Sequence, residues 1–215
     1  MTHTFHLHRL LLLCLPSFFC ALTISAQDVK LPAPDKNVKM TLMEALQQRA
    51  SEREFSDKVI DDATLSQVLW AACGINRPDT KKITAPSAIN AQDILVYVVR
   101  QDGAYLYLPE SHSLRKVSSK DLRSEVAGRQ VFAASAPVSL VLVSDKSKFG
   151  NRSQGAELMG SIDSGYVSEN ICLVCTALGL ATVPRMTMNH DVLHKELGLT
   201  DQQVTLLNHP MGWRK

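Results

Sequence analysis

Apolar and polar positions alternate along this chain in two rhythms, one helical and one extended. Thr41-Leu42-Met43-Glu44 sets a hydroxyl three residues ahead of a carboxylate, a capping-box pattern that predicts a helix running to about Ala50. Thr64-Leu65-Ser66-Gln67 repeats that logic. Leu65, Val68, Leu69 and Ala72 then share one helical face before Gly74 ends it. Ser118 to Gly128 reads as a short amphipathic helix. From Gln154 to Leu178 the spacing predicts a long helix closed by Gly179, with Leu158, Ile162, Tyr166, Leu173, Val174 and Ala177 on its apolar face and Gly165 in its middle. Asn189 is placed to cap a last short helix ending at Gly198.

The extended rhythm begins at Ile94 to Arg100, a β-branched run. A turn at Asp102-Gly103 leads into Ala104 to Leu108, which together predict a β-hairpin. Pro137 precedes Val138 to Val143, a buried strand, and Gln203 to Leu207 reads as a final strand. Ile75 to Asp93 is loop-rich, with Pro78 and Pro86. Helices mixed with a hairpin and later single strands point to an α+β fold rather than a regular βαβ winding.

The first residues follow neither rhythm. His3, His6, His8 and Arg9 precede an apolar run from Leu10 that continues through Phe18, Phe19 and Ala21, and no acidic residue appears before Asp28. That three-part pattern predicts a secretory signal over residues 1–26, cleaved after Ala26. The expected location is therefore periplasmic or secreted. A lipoprotein anchored at Cys20 is the lesser alternative, because Ser17-Phe18-Phe19 is a poor approach to a lipidated cysteine. Residues 27–40, charged and Pro-containing, read as an N-terminal arm, and 41–215 as one domain. No second long apolar run follows, so no span is expected in the mature chain.

Composition narrows the function classes. With 23 Lys+Arg against 21 Asp+Glu in 215 residues, the chain lacks the basic excess of a nucleic-acid binder. Ten Gly and nine Pro exclude a collagen-like or low-complexity chain. Beyond residue 26 only Cys73, Cys172 and Cys175 remain, too sparse and too odd a set for a disulfide framework. Cys172-x-x-Cys175 lies in a helical stretch without a preceding strand, so both read as small buried apolar residues rather than a redox pair. No second Cys/His pair supplies zinc ligands, and no metal is expected. Nucleophile elbow, HExxH, Walker loop and GxGxxG are all missing from the sequence, so any hard chemistry falls to a cofactor.

Three polar clusters carry candidate chemistry. Arg49, Ser51 and Arg53, with Glu52, Glu54 and Phe55, stand at the end of the first helix. They make either a solvated helix end or a cradle for a phosphate, since Arg offers a permanently charged fork of donors. Pro86, Ser87, Asn90 and Gln92 form a loop before a strand, able to read a ligand's hydrogen bonds or simply to make a capped turn. Trp213, Arg214 and Lys215 close the chain and either meet solvent or complete an anion site.

Taken together, these clusters resemble the nitroreductase-like flavoproteins. The Arg-x-Ser-x-Arg/Lys-x-Phe opening of that family is matched by Arg49, Ser51, Arg53 and Phe55, and its Pro-Ser-x-x-Asn-x-Gln loop by Pro86, Ser87, Asn90 and Gln92. Asp163, Gly165, Asn170, Gly179 and Leu180 resemble its long-helix pattern, and the ending resembles that of short bacterial members. One departure is Asp93, where the family usually has Pro.

The resemblance implies an intertwined homodimer with a mainly antiparallel sheet, flanking helices and a long central helix, holding FMN at the subunit interface. In it Arg49 would hold the FMN phosphate, helped by Arg214 and Lys215, and Ser51 would bond the phosphate or ribityl side. Arg53 would stabilise charge near the flavin pyrimidine edge. Pro86, Ser87 and Asn90 would line the flavin or its ribityl chain. Pro184, Met186 and Thr187 would bring backbone N–H groups to flavin N5, with Met186 the chosen residue. The implied reaction takes hydride or electrons from a reduced donor, NAD(P)H by resemblance, to a nitroaromatic, quinone or similar electron-poor acceptor. Alternatives on the same fold are flavin fragmentation, dehydrogenation of a peptide-like substrate, or non-catalytic flavin binding in the cell envelope.

Overall fold

The computed structural model describes Met1, residues 28–152 and residues 154–215. Apart from Met1, the expected leader over residues 1–26, with Cys14 and Cys20, lies outside the described residues. The arm docks rather than trailing: β1 (Val29–Lys30) pairs with a later strand and Leu31 is buried. α1 (Leu42–Gln48) starts at Thr41, whose hydroxyl accepts from Glu44 N–H while the Glu44 carboxylate takes Thr41 N–H, so the predicted capping box is present. α2 (Asp62–Cys73) begins two residues before the predicted cap. Asp61 is the cap, its carboxylate accepting from Thr64 N–H at 2.8 Å. Gly74 does end that helix, in extended backbone, and glycine is needed there because a Cβ would strike the Trp70 ring.

A small flap of β2 (Ile75–Arg77) and β3 (Lys82–Ile83) follows. The predicted hairpin is β4 (Ile94–Arg100) with β5 (Gly103–Leu108). Next comes β6 (Ser113–Ser118), which sequence reasoning missed because Arg115 and Lys116 interrupt its apolar pattern. Ser118 ends β6, and the helix expected from that residue begins only at Arg123, so α3 is Arg123–Ala127. β7 (Val138–Asp145) leads to α4 (Ala156–Leu178), then β8 (Leu180–Thr182), α5 (His190–Glu196) and β9 (Gln203–Trp213). Asn189 precedes α5, but its side chain bonds Glu125 instead of the helix end.

Seven strands form one antiparallel sheet in the order β1-β6-β5-β4-β7-β9-β8. β7 is its spine, pairing Val138 to Ser144 with Arg100 to Ile94 on one side and with β9 on the other. The period-two alternation sorts its side chains into two cores. Val138, Leu140 and Leu142 face α2 and α4, together with Leu65, Leu69, Val96 and Ile171. Val141 and Val143 face α3 and α5, together with Tyr97, Val126, Leu193 and Leu197. The result is a sheet covered by helices on both faces, with α4 the longest.

The buried face of α4 differs from the predicted one. Gly160, Asp163, Ser164, Val167, Ser168, Ile171, Cys172 and Cys175 are buried. Leu158, Ile162 and Tyr166 are exposed, at 67%, 48% and 46%. The apolar rhythm there marks an outward stripe, and the inward face is made of small and polar residues that let the helix lie close on the sheet.

Candidate active site

Arg49 caps α1 and turns the chain out of helical backbone, its N–H bonded to Ala45 O at 2.8 Å. The segment after it runs along the sheet margin. Glu52 N–H donates to Thr182 O at 3.0 Å, and Ser56 N–H to Trp213 O at 2.9 Å. Phe55 is the anchor, buried with Ala136 and Ala181. It lies against Gly212, where a Cβ would sit 2.9 Å from the Phe55 Cβ. Phe55 alone of this segment turns inward, and Ser51 and Arg53 before it are exposed.

Cations gather around that segment. Arg214 pairs with Glu52 at 2.9 Å, yet its Nε is buried without a partner among the described residues. Arg53 and Lys215 line one shallow cleft with Glu52 and Glu54. Arg49 lies close enough to Cys172, and Arg214 to Cys175, for their charges to act on those thiols one helical turn apart on α4. Neither Arg49 nor Arg53 makes an ion pair with another described residue. Burial pushes the Cys172 thiol up to about 11 and Cys73 up to about 12, and raises Cys175 as well, so all three remain protonated and buried. The structure thus agrees with the apolar reading of Cys172-x-x-Cys175.

The bond from Glu52 to Thr182 brings the loop after β8 beside this cluster. Pro184 and Met186 are exposed there, Met186 at 72%, and Thr187 is half-buried. Gly128, Arg129, Met186, Thr187, Asn189 and His190 line a cleft of about 640 Å³. Between the exposed residues sits Arg185, 7% exposed and missed from sequence. Its guanidinium donates to Gln130 Oε1, Asn208 Oδ1 and Ala127 O at 2.7 Å each, to Thr187 O at 3.1 Å and to Val126 O at 3.3 Å. That web pins the loop to α3 and β9. Its sequence signal was a lone charged residue in the mostly apolar run Val183 to Met188.

The Pro86–Gln92 loop lies elsewhere. Ala88 N–H bonds both oxygens of Asp163, at 3.0 and 2.9 Å. Ser87 is spent inside the loop, its Oγ accepting from Gln92 N–H at 2.9 Å. Ile89, Asn90 and Gln92 hold φ of 51°, 58° and 49°, a left-handed conformation that presents Ile89 and Asn90 to solvent. Asp163 is nine to twelve residues from Cys172 and Cys175, about 14–18 Å along the helix. One chain therefore groups Arg49, Ser51, Arg53, Arg214, Lys215 and the Pro184–Thr187 loop, and places Pro86, Ser87 and Asn90 further along α4.

Comparison with known proteins shows the family. The Nitroreductase family model matches residues 46–213. The chain belongs to the nitroreductase family. A protein of Methanocaldococcus jannaschii named for a nitroreductase is 30% identical over 169 residues, covering 73% of this chain and 82% of its own. A crystal structure of a protein so named from Ralstonia eutropha superposes with TM-score 0.82 at 33% identity, over 91% of this chain and 93% of that one. A structure named for an NADH oxidase of Clostridium acetobutylicum shares the fold, with TM-score 0.59 at 18% identity over 80% of this chain and 87% of that one. Nitroreductase-family proteins are oxidoreductases that generally use a flavin.

The side chains present fit such a group. Two exposed guanidinium groups without carboxylate partners, a third with a buried donor unpaired, and a terminal Lys offer charge-assisted bonds to a phosphate.

Proposed function

We propose that the chain is an FMN-dependent oxidoreductase acting as a homodimer, passing hydride or electrons from NAD(P)H or a similar donor to a nitroaromatic, quinone or like acceptor. One observation carries the reading: the Arg49, Arg53, Arg214 and Lys215 cluster beside the Thr182–Thr187 loop, with an unpartnered buried Arg214 Nε. FMN supplies reversible two-electron chemistry when bound. Arg49, Arg214 and Lys215 would bind its phosphate, and Ser51 would add a hydroxyl. Arg53 contributes a fixed cation where reduction gathers negative charge, which is the electrostatic stabilisation such a step needs. The Met186–Thr187 backbone would orient the ring against the cleft that takes donor and acceptor.

A second copy completes the site in this reading. Pro86, Ser87 and Asn90 lie too far along α4 to join the cations of their own chain. The exposed stripe of Leu158, Ile162 and Tyr166, at i, i+4 and i+8, supplies an apolar face for that copy, as do Leu42, Met43 and Leu46 on α1. Export through residues 1–26 is part of the same proposal, and it makes the physiological donor a matter for assay.

The deciding experiment is a visible absorbance spectrum of the protein from residue 27 onward, recorded after FMN addition and gel filtration. Flavin bands co-eluting at dimer size are expected. A colourless protein that never retains FMN overturns the reading and returns the cations to a solvated helix end.

A further inference from the structure

Beneath the Pro86–Gln92 loop lie two carboxylates that no cation neutralises. Asp93 is 0% and Asp163 1% exposed. Asp163 reaches up from α4 to accept Ala88 N–H with both oxygens. Asp93 immediately precedes the strand β4, its Oδ2 accepting from Ser144 Oγ at 2.6 Å, while its Oδ1 is buried with no donor among the described residues. Gly160 leaves the room for this: a Cβ there would strike the Ser144 hydroxyl and sit 3.2 Å from Asp93 Oδ2.

A buried carboxylate oxygen without a donor is costly, and two ionised carboxylates in contact are costlier. One proton between them removes both penalties at once. We infer that Asp93 and Asp163 share a proton across facing side chains, and that this proton positions the loop from which Ser87 and Asn90 act. Asp93 and Asp163 are positioning residues, working through Ala88 and the loop ends. The loop's part in cofactor binding rests on the function proposed above; the shared proton does not.

No cation among the described residues faces the pair. From β7 comes Ser144, and from the loop the Ala88 N–H. Asp145, next on β7, is turned to Ser147 and Gln203, and Lys146 pairs with Glu157. No Lys, Arg or His of the described residues lies within 4 Å of either carboxylate. Burial, and the Asp93 charge beside it, push Asp163 up to about 6 from an ordinary 3.8. Its folded value being raised, the stabilisation is complete below about pH 4 and is lost as pH climbs through 6. Above that, two like charges press the loop end and α4 apart.

Asp93→Asn tests the pair, because the amide can donate where the proton stood. Its melting temperature should match wild type near pH 4 and exceed it by about 5 °C at pH 8. Asp163→Asn, which keeps an acceptor for Ala88, should show the same pH-dependent gain. Amide exchange at Ala88, Asn90 and Gln92, corrected for intrinsic chemistry, should quicken roughly tenfold from pH 5 to 8 in wild type and stay level in Asp93→Asn. FMN affinity should weaken over the same range in wild type alone. A gain equal at both pH values, or no gain at pH 8 in either variant, overturns the shared proton. Failure to bind FMN at any pH sinks the proposed function, while melting and exchange still decide the proton. FMN affinity level with pH in wild type, with melting and exchange as expected, overturns the link to the cofactor.

Discussion

A buried cation and a buried pair of carboxylates are treated in opposite ways. Arg185 has five donors in a rigid fork and spends them on Gln130, Val126, Ala127, Thr187 and Asn208. Asp93 and Asp163 have four acceptor oxygens between them, served by Ala88 N–H and the Ser144 hydroxyl, with Asp93 Oδ1 left over. The first arrangement is saturated and so acts as a rivet. The second is one proton short, so its structure depends on pH. Burial alone does not tell which role a charge plays; the tally of donors against acceptors does.

The rivet should break hardest. Arg185→Ala strips three backbone carbonyls and two side-chain amide oxygens of their donor, at about 1–3 kcal/mol for each that stays buried and unsatisfied. A fall in melting temperature of about 10 °C is expected. Arg185→Lys should recover little of it, because an ammonium cannot reproduce the planar fork. Full rescue by Lys would show that charge alone, not the saturated geometry, holds the loop after β8.

The exposed cations give the contrast in function. Arg49→Ala should leave the melting temperature of the flavin-free protein within about 1 °C, since a surface side chain without an ion pair contributes little to stability. It should weaken FMN binding roughly ten- to a hundredfold, the worth of one charge-assisted bond. A titration of the variant with FMN, beside a melting curve, separates the two. Unchanged affinity would remove Arg49 from the site.

Gly160→Ala strikes the carboxylate pair from the helix side. The added methyl must displace Ser144 and press on Asp93, at a cost of about 1–2 kcal/mol by overpacking. Adding Ser144→Ala should relieve part of that cost by clearing the nearest obstacle. A double variant no more stable than the single would place the clash elsewhere.

Most of the fold was legible because its signals were local. The Thr41–Glu44 capping box, the Asp102-Gly103 turn and Gly179 after the long helix each state a boundary within four residues. What escaped depended on partners far along the chain. β6 is a strand because β5 and β1 flank it, despite its Arg and Lys. The outward stripe of α4 reads as core in sequence, since periodicity reports an apolar face and says nothing of what covers it. Arg49, Ser51, Arg53 and Phe55 were readable as one segment. That Asn208 and Gln130 would meet Arg185, or Asp93 meet Asp163, follows only from strand order and helix placement.

The smallest expected effect is the most discriminating, because a third buried group opposes the carboxylate pair. His209 is fully buried between Ser168 Oγ at 2.8 Å and Thr182 Oγ1 at 3.4 Å, and burial lowers it to about 3 from 6.5. Its folded value being depressed, its stabilisation is complete above pH 6.5 and is lost as pH falls toward 3. The carboxylate pair loses stability in the other direction, as pH rises from about 4 to 6. Between those limits the two slopes oppose, and wild type should show a shallow dependence of melting temperature on pH. Asp93→Asn removes one slope, so its stability should rise more steeply with pH than wild type. His209→Gln removes the other; whatever it costs at every pH, its profile should tilt downward as pH rises. Other titrating groups are common to all three proteins and cancel in the differences. Three parallel profiles would mean that neither buried group exchanges its proton with folding, and that the contrast between saturated and proton-short burial fails.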